Sequence, residues 1–167
     1  MKNSIAAKTA YYGVLIALAL IFSYVEVLIP IPIGIPGVKL GLANIVILIA
    51  LYAMGTKDSF IISCIRILLV GFTFGNMFSI LYSLAGAILS WIVMVLCKKI
   101  KSLSIVGVSI AGGIAHNIGQ IIVATITMNT PGILSYLPVL MIAGTLTGFA
   151  IGILGNIILK VQKKAFK

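Results

Sequence analysis

The sequence predicts an all-α fold, a polytopic membrane protein with about six transmembrane helices in a single domain over residues 1–167. Three observations predict it. The 167 residues are 62% hydrophobic and only 8% charged, whereas soluble domains average roughly 45–50% apolar and about 25% charged. The apolar residues come in runs of helical length, separated by short polar punctuation. The basic residues fall on alternate connections between those runs. Lipid is the solvent that suits such a composition.

The first run spans about Thr9–Ile29. Lys2 and Lys8 precede it as in a signal peptide, but no small-x-small cleavage site follows a short core, so it reads as a retained span. It ends at Pro30-Ile31-Pro32-Ile33-Gly34-Ile35-Pro36-Gly37, where the prolines forbid a regular helix and predict an apolar extended loop. The second run, about Leu40–Met54, and the third, about Asp58–Phe72, are short for spans and would tilt little or be shielded in part by protein. The fourth covers about Phe78–Cys97 and is closed by Lys98, Lys99 and Lys101. The fifth covers about Ser104–Met128 and ends at Asn129-Thr130-Pro131-Gly132. The sixth, about Leu137–Leu159, runs into a basic tail. Barrel strands would alternate apolar and polar residues over about ten positions. These runs are longer and apolar on every side.

Charge orients the chain. With six spans and a cytoplasmic N-terminus, the cytoplasmic side receives Lys2, Lys8, Lys57, Lys98, Lys99, Lys101, Lys160, Lys163, Lys164 and Lys167, ten of the twelve basic residues. That is the positive-inside pattern of a multi-pass protein of the bacterial cytoplasmic membrane with both termini inside. A net charge of +10 could also suggest nucleic acid, but no solvated basic face with polar or aromatic readers exists. Cys64 and Cys97 lie in apolar runs without metal-ligand spacing and read as small buried hydrophobes.

The polar residues left inside apolar runs are the candidates for function. Arg66 lies within the third run, where an arginine costs about 2.5–3.5 kcal/mol on insertion scales. It is expected to face the interior, as a ligand site or as half of a structural pair, unless its chain snorkels outward. Lys39 follows the proline loop. Glu26, near the end of the first run, could pair with Arg66 or Lys39 or touch a ligand; the only other acid, Asp58, reads as the start of a helix. His116 and Gln120 are four apart and share a helix face, with Asn117 beside it. Such a cluster implies an internal pocket or a helix–helix network. Asn44, Asn76 and Tyr82 are further candidates to line a cavity. Ala6 with Ala10, and Gly13 with Ala17, form small-xxx-small pairs in the first span, suited to packing within the bundle or against another membrane subunit.

Enzyme chemistry finds no support. Two acids in the whole chain cannot form an aspartate-rich site for magnesium diphosphate. No phosphate loop, paired carboxylate site or His/Cys metal cluster is present. The expectation is a protein without catalytic residues, metal or cofactor, needing a partner for any energy-driven step.

The segments Pro36-Gly37-Val38-Lys39-Leu40-Gly41-Leu42-Ala43-Asn44-Ile45, Arg66-Ile67-Leu68-Leu69, Phe78-Ser79-Ile80-Leu81-Tyr82-Ser83-Leu84-Ala85-Gly86 and His116-Asn117-Ile118-Gly119-Gln120 resemble the heptaprenyl diphosphate synthase component I family, also called the Gx transporter family. That family is similar in turn to the substrate-binding S components of energy-coupling factor (ECF) vitamin transporters. The resemblance implies a six-helix bundle of S-component type, with an alanine-xxx-alanine motif in the first helix that Ala6 and Ala10 match. It implies docking to a membrane coupling subunit that carries two ATPases. It implies a cavity lined by Glu26, Lys39, Asn44, Arg66, Asn76, His116, Asn117 and Gln120, with the proline loop as a lid. Lys39 and Arg66 would favour a carboxylate or phosphate, so the expected substrate is a small amphipathic anion, such as a quinone or isoprenoid precursor. The alternatives are a membrane accessory subunit of heptaprenyl diphosphate or quinone synthesis and a structural subunit of a membrane redox complex.

Overall fold

The computed structural model describes residues 5–28 and 41–165. Lys39 and the proline loop lie outside them. Among the described residues there is no strand, and the helices run α1 (Ile5–Leu28), α2 (Asn44–Ala53), α3 (Thr56–Phe74), α4 (Met77–Lys98), α5 (Ile105–Thr127) and α6 (Leu137–Ala165). A short 3-10 segment, Pro131–Tyr136, leads into α6. The boundaries follow local chemistry. Asn76 caps α4 by accepting from the Ser79 N–H, and Ser104 caps α5 by accepting from the Gly107 N–H. Gly55, at φ +108, makes the turn between α2 and α3.

By length and composition, four stretches can cross a membrane: α1, α4, α5 and the 3-10 segment with α6. The other two helices are compromised for different reasons. The 10 residues of α2 reach only roughly 15 Å, half of the roughly 30 Å hydrocarbon layer. Every one of its residues from Asn44 to Leu51 is buried, so protein rather than lipid surrounds it. Helix α3 is long enough at 19 residues but carries Lys57, Asp58, Arg66 and two serines, Ser59 and Ser63.

The bundle encloses polar side chains within its apolar core and exposes apolar ones. Glu26, Arg66, His116, Asn117 and Gln120 are buried, while Phe72, Ile126, Ile142, Leu146 and Phe149 are exposed. Water would reverse that arrangement; it is compatible with a multi-pass membrane protein.

Both described ends of the chain meet at one end of the bundle, where Gln162 Nε2 donates to the Tyr11 hydroxyl at 2.6 Å. At the same end Asp58 accepts from Tyr12 at 2.7 Å and pairs with Lys8 at 3.0 Å. Lys98 donates to the Leu51 carbonyl at 2.6 Å and lies over the Tyr52 ring. Every lysine among the described residues lies at this basic end.

Helices α4, α5 and α6 pack most closely. A Cβ at Gly119 of α5 would lie 2.7 Å from the Ala85 carbonyl oxygen and 2.9 Å from Gly86 Cα of α4. Glycine there lets the two backbones touch. Helix α1 is the loosest element, with 11% of its span residues buried against 56% for α5.

Candidate functional site

Arg66 stands ten residues into α3 and His116 eleven into α5, roughly 15–17 Å along each helix from the basic end. That distance is about half the roughly 30 Å thickness of a hydrocarbon layer. Around this level the chain gathers buried Ser23, Glu26, Asn44, Arg66, His116 and Gln120, in two adjoining parts.

The first part joins α1, α3 and the turn before α2. Glu26 Oε1 accepts the backbone N–H groups of Gly41 and Leu42, at 2.5 and 2.8 Å. Those donors precede α2 and have no carbonyl of their own helix to reach, so the carboxylate satisfies them and ties the end of α1 to the start of α2. Arg66 is 5% exposed. Its Nη1 donates to Ser23 Oγ at 3.3 Å, and its charge is attracted through space by Glu26. Its Nε and Nη2 have no hydrogen-bond partner among the described residues. A buried polar group left so costs about 1–3 kcal/mol.

The second part joins α2, α4 and α5 around His116. Gly41 sits at φ +85, and a Cβ there would lie 2.9 Å from Asn44 Nδ2 and 3.0 Å from His116 Cδ2. On the other side of the ring, a Cβ at Gly86 would lie 2.9 Å from His116 Nδ1 and 2.8 Å from Gln120 Cγ. The two glycines thus make room for the imidazole, with Asn44 and Gln120 as its neighbours. Gly41 is common to both parts: its N–H is held by Glu26 and its Cα faces His116.

The remaining candidates lie elsewhere. Asn117 turns towards α6 and donates to the Leu140 carbonyl at 2.6 Å, which serves helix packing. Asn76 is the exposed cap of α4. Tyr82 is buried near the end opposite the lysines, its hydroxyl 3.1 Å from Thr127 Oγ1. Ala6, Ala10, Gly13 and Ala17 are all exposed on α1, and nothing would lie within 4 Å of a Cβ at Gly13. The bundle therefore makes no internal use of this stripe. Ser23, Gly41 and Gly86 are the site residues that sequence reasoning missed. Ser23 is three before Glu26, so the shared helix face was a usable signal for it.

The chain's two carboxylates stand apart, Asp58 with Lys8 and Tyr12 at the basic end and Glu26 at the start of α2. They cannot act together on one metal ion. The site can instead present a cationic fork, an imidazole and two amides to a bound molecule.

The family model for heptaprenyl diphosphate synthase component I matches residues 15–158. The chain belongs to this family. No curated protein and no solved structure matches it. The heptaprenyl diphosphate synthase component I match takes in both parts of the polar site, from Ser23 to Gln120, and omits Ala6, Ala10 and Gly13.

Proposed function

We propose that the chain is the substrate-binding membrane subunit of an importer of ECF S-component type, which captures a small amphipathic anion in the polar centre of the bundle. The observation that carries this reading is Arg66, buried mid-bundle with two donor nitrogens, Nε and Nη2, left without a hydrogen-bond partner among the described residues. A purely structural arginine would saturate its donors within the protein. A carboxylate or phosphate would complete this one.

In this reading all six helices belong to one transmembrane bundle. The basic end is cytoplasmic by the positive-inside rule, in the bacterial cytoplasmic membrane. The chain does no chemistry of its own, so energy comes from two ATPases through a membrane coupling subunit. The exposed stripe Ala6, Ala10, Gly13 and Ala17 supports docking to such a subunit.

The test is mass spectrometry of protein purified gently from native membranes. The expected result is ATPases with a coupling subunit, and a bound small molecule that the folded Arg66→Ala variant lacks. An unchanged ligand content in Arg66→Ala would sink the site assignment. The family match favours a second reading, a membrane accessory subunit of heptaprenyl diphosphate or quinone synthesis. Copurification of a soluble prenyl synthase, with no ATPase, would decide for it.

A further inference from the structure

We infer that the captured anion is lipid-borne, with a two-oxygen head on the Nε–Nη2 edge of Arg66 and an apolar tail in the groove between α1 and α3. The inference rests on the substrate-capture reading and adds the form of the ligand and its route.

The head follows from the guanidinium. Its Nη1 is engaged by Ser23, which orients the group and leaves the opposite edge without a partner among the described residues. On that edge Nε–H and one Nη2–H point the same way, spaced to meet two oxygens of a carboxylate or phosphate. Glu26 does not fill the edge; its Oε1 is taken by the N–H groups of Gly41 and Leu42. The fork is therefore oriented by Ser23, and the two oxygens of a planar or tetrahedral oxyanion would complete its donors.

The tail follows from what adjoins the fork. Arg66, Leu69 and Thr73 fall on one stripe of α3, at i, i+3 and i+7. Beyond Arg66 this stripe lines a groove completed by Phe74 and, from α1, by Leu20, Ile21 and Tyr24. The Thr73 hydroxyl is turned back onto the Leu69 carbonyl at 2.7 Å and offers the groove only its methyl side. Ile21, Tyr24, Leu69 and Phe74 are exposed, so the groove opens on the face that lipid would cover. A water-borne anion approaching here would meet only apolar surface. A molecule with its chain in the bilayer would slide its head one helical turn inward to Arg66. Helix α1, so little buried, is the wall that can yield.

The experiment is native mass spectrometry of the full chain in neutral detergent, titrated with dodecyl phosphate, dodecanoate, inorganic phosphate and dodecanol. One equivalent of dodecyl phosphate or dodecanoate is expected; which of the two binds distinguishes a phosphate head from a carboxylate. Inorganic phosphate and dodecanol each lack one half of the ligand and are expected to bind at least about tenfold more weakly. Arg66→Lys keeps the charge but removes the fork, with an expected loss of about tenfold or more. Leu69→Trp fills the groove and is expected to weaken the tailed probes while leaving any inorganic phosphate binding unchanged. Thermal midpoints by circular dichroism establish that both variants fold. Equal binding of inorganic and dodecyl phosphate, or folded variants that bind like the wild type, would overturn the inference. So would failure of every probe. Capture of an untailed anion survives the first result, and it also survives the last if native protein still carries a molecule that Arg66→Ala loses.

Discussion

Helices α4, α5 and α6 meet backbone to backbone, whereas α1, α2 and α3 share an apolar cluster bridged by polar side chains, and α1 and α3 leave a groove between them. In the first half, Gly119 lies against Gly86, Gly113 against Gly144 and Gly148 against Ile110. Such contacts are dense and tolerate no added atoms. In the second half, Glu26 reaches across to Gly41 and Leu42, and Ser23 to Arg66. Side-chain bridges of this kind hold helices at a distance. The glycine-packed half is suited to stability, and the bridged half is where the proposed binding would occur. A rigid wall and a looser one are what a site that admits a ligand sideways requires.

Substitutions can break this comparison, and the largest effect is expected in the rigid half. A Cβ at Gly113 would collide with the Gly144 carbonyl. Gly113→Leu is expected to cost about 3 kcal/mol or more, read as a large fall in the thermal unfolding midpoint in detergent. A midpoint equal to that of the wild type would mean that the α5–α6 contact is far softer than drawn. Next comes Glu26→Leu, which removes the acceptor of two buried N–H groups and leaves Arg66 without its countercharge. A loss of about 2–4 kcal/mol is expected, again by thermal unfolding. A negligible loss would show that the bridged half contributes little to holding the bundle. The smallest effect on stability belongs to Ala10→Leu on the open face of α1, within about 0.5 kcal/mol of the wild type. Its consequence should appear instead in subunit capture, through loss of the coupling subunit from native purifications. Retention of that subunit would remove the stripe from the proposed interface.

The sequence located most of the polar site but not its wiring. An arginine or a histidine in an apolar run stands out because lipid offers it nothing, so Arg66, Glu26 and His116 were visible at once. Pairing was less legible. Glu26 was expected to choose between Arg66, Lys39 and a ligand, yet its Oε1 is held by the backbone of Gly41 and Leu42. Main-chain donors look the same in every residue and leave no mark in a sequence. Asn117 sits beside His116 in the chain, but the 100° step of the helix turns it towards Leu140 of α6. The small residues of α1 allowed packing inside the bundle or outside it, and their exposure selects the outer face.

By itself the sequence determined the solvent, the number of helices and the gathering of lysines at one end. These depend on composition and on the order of apolar and charged residues along the chain, which are local properties. Only the tertiary structure decided that α2 is a short helix enclosed by protein, that Gly41 and Gly86 cradle His116, and that an apolar groove runs between α1 and α3. Those features depend on how each helix is rotated about its axis and which neighbour it meets. That choice is made by close packing of whole surfaces, and no single segment contains it.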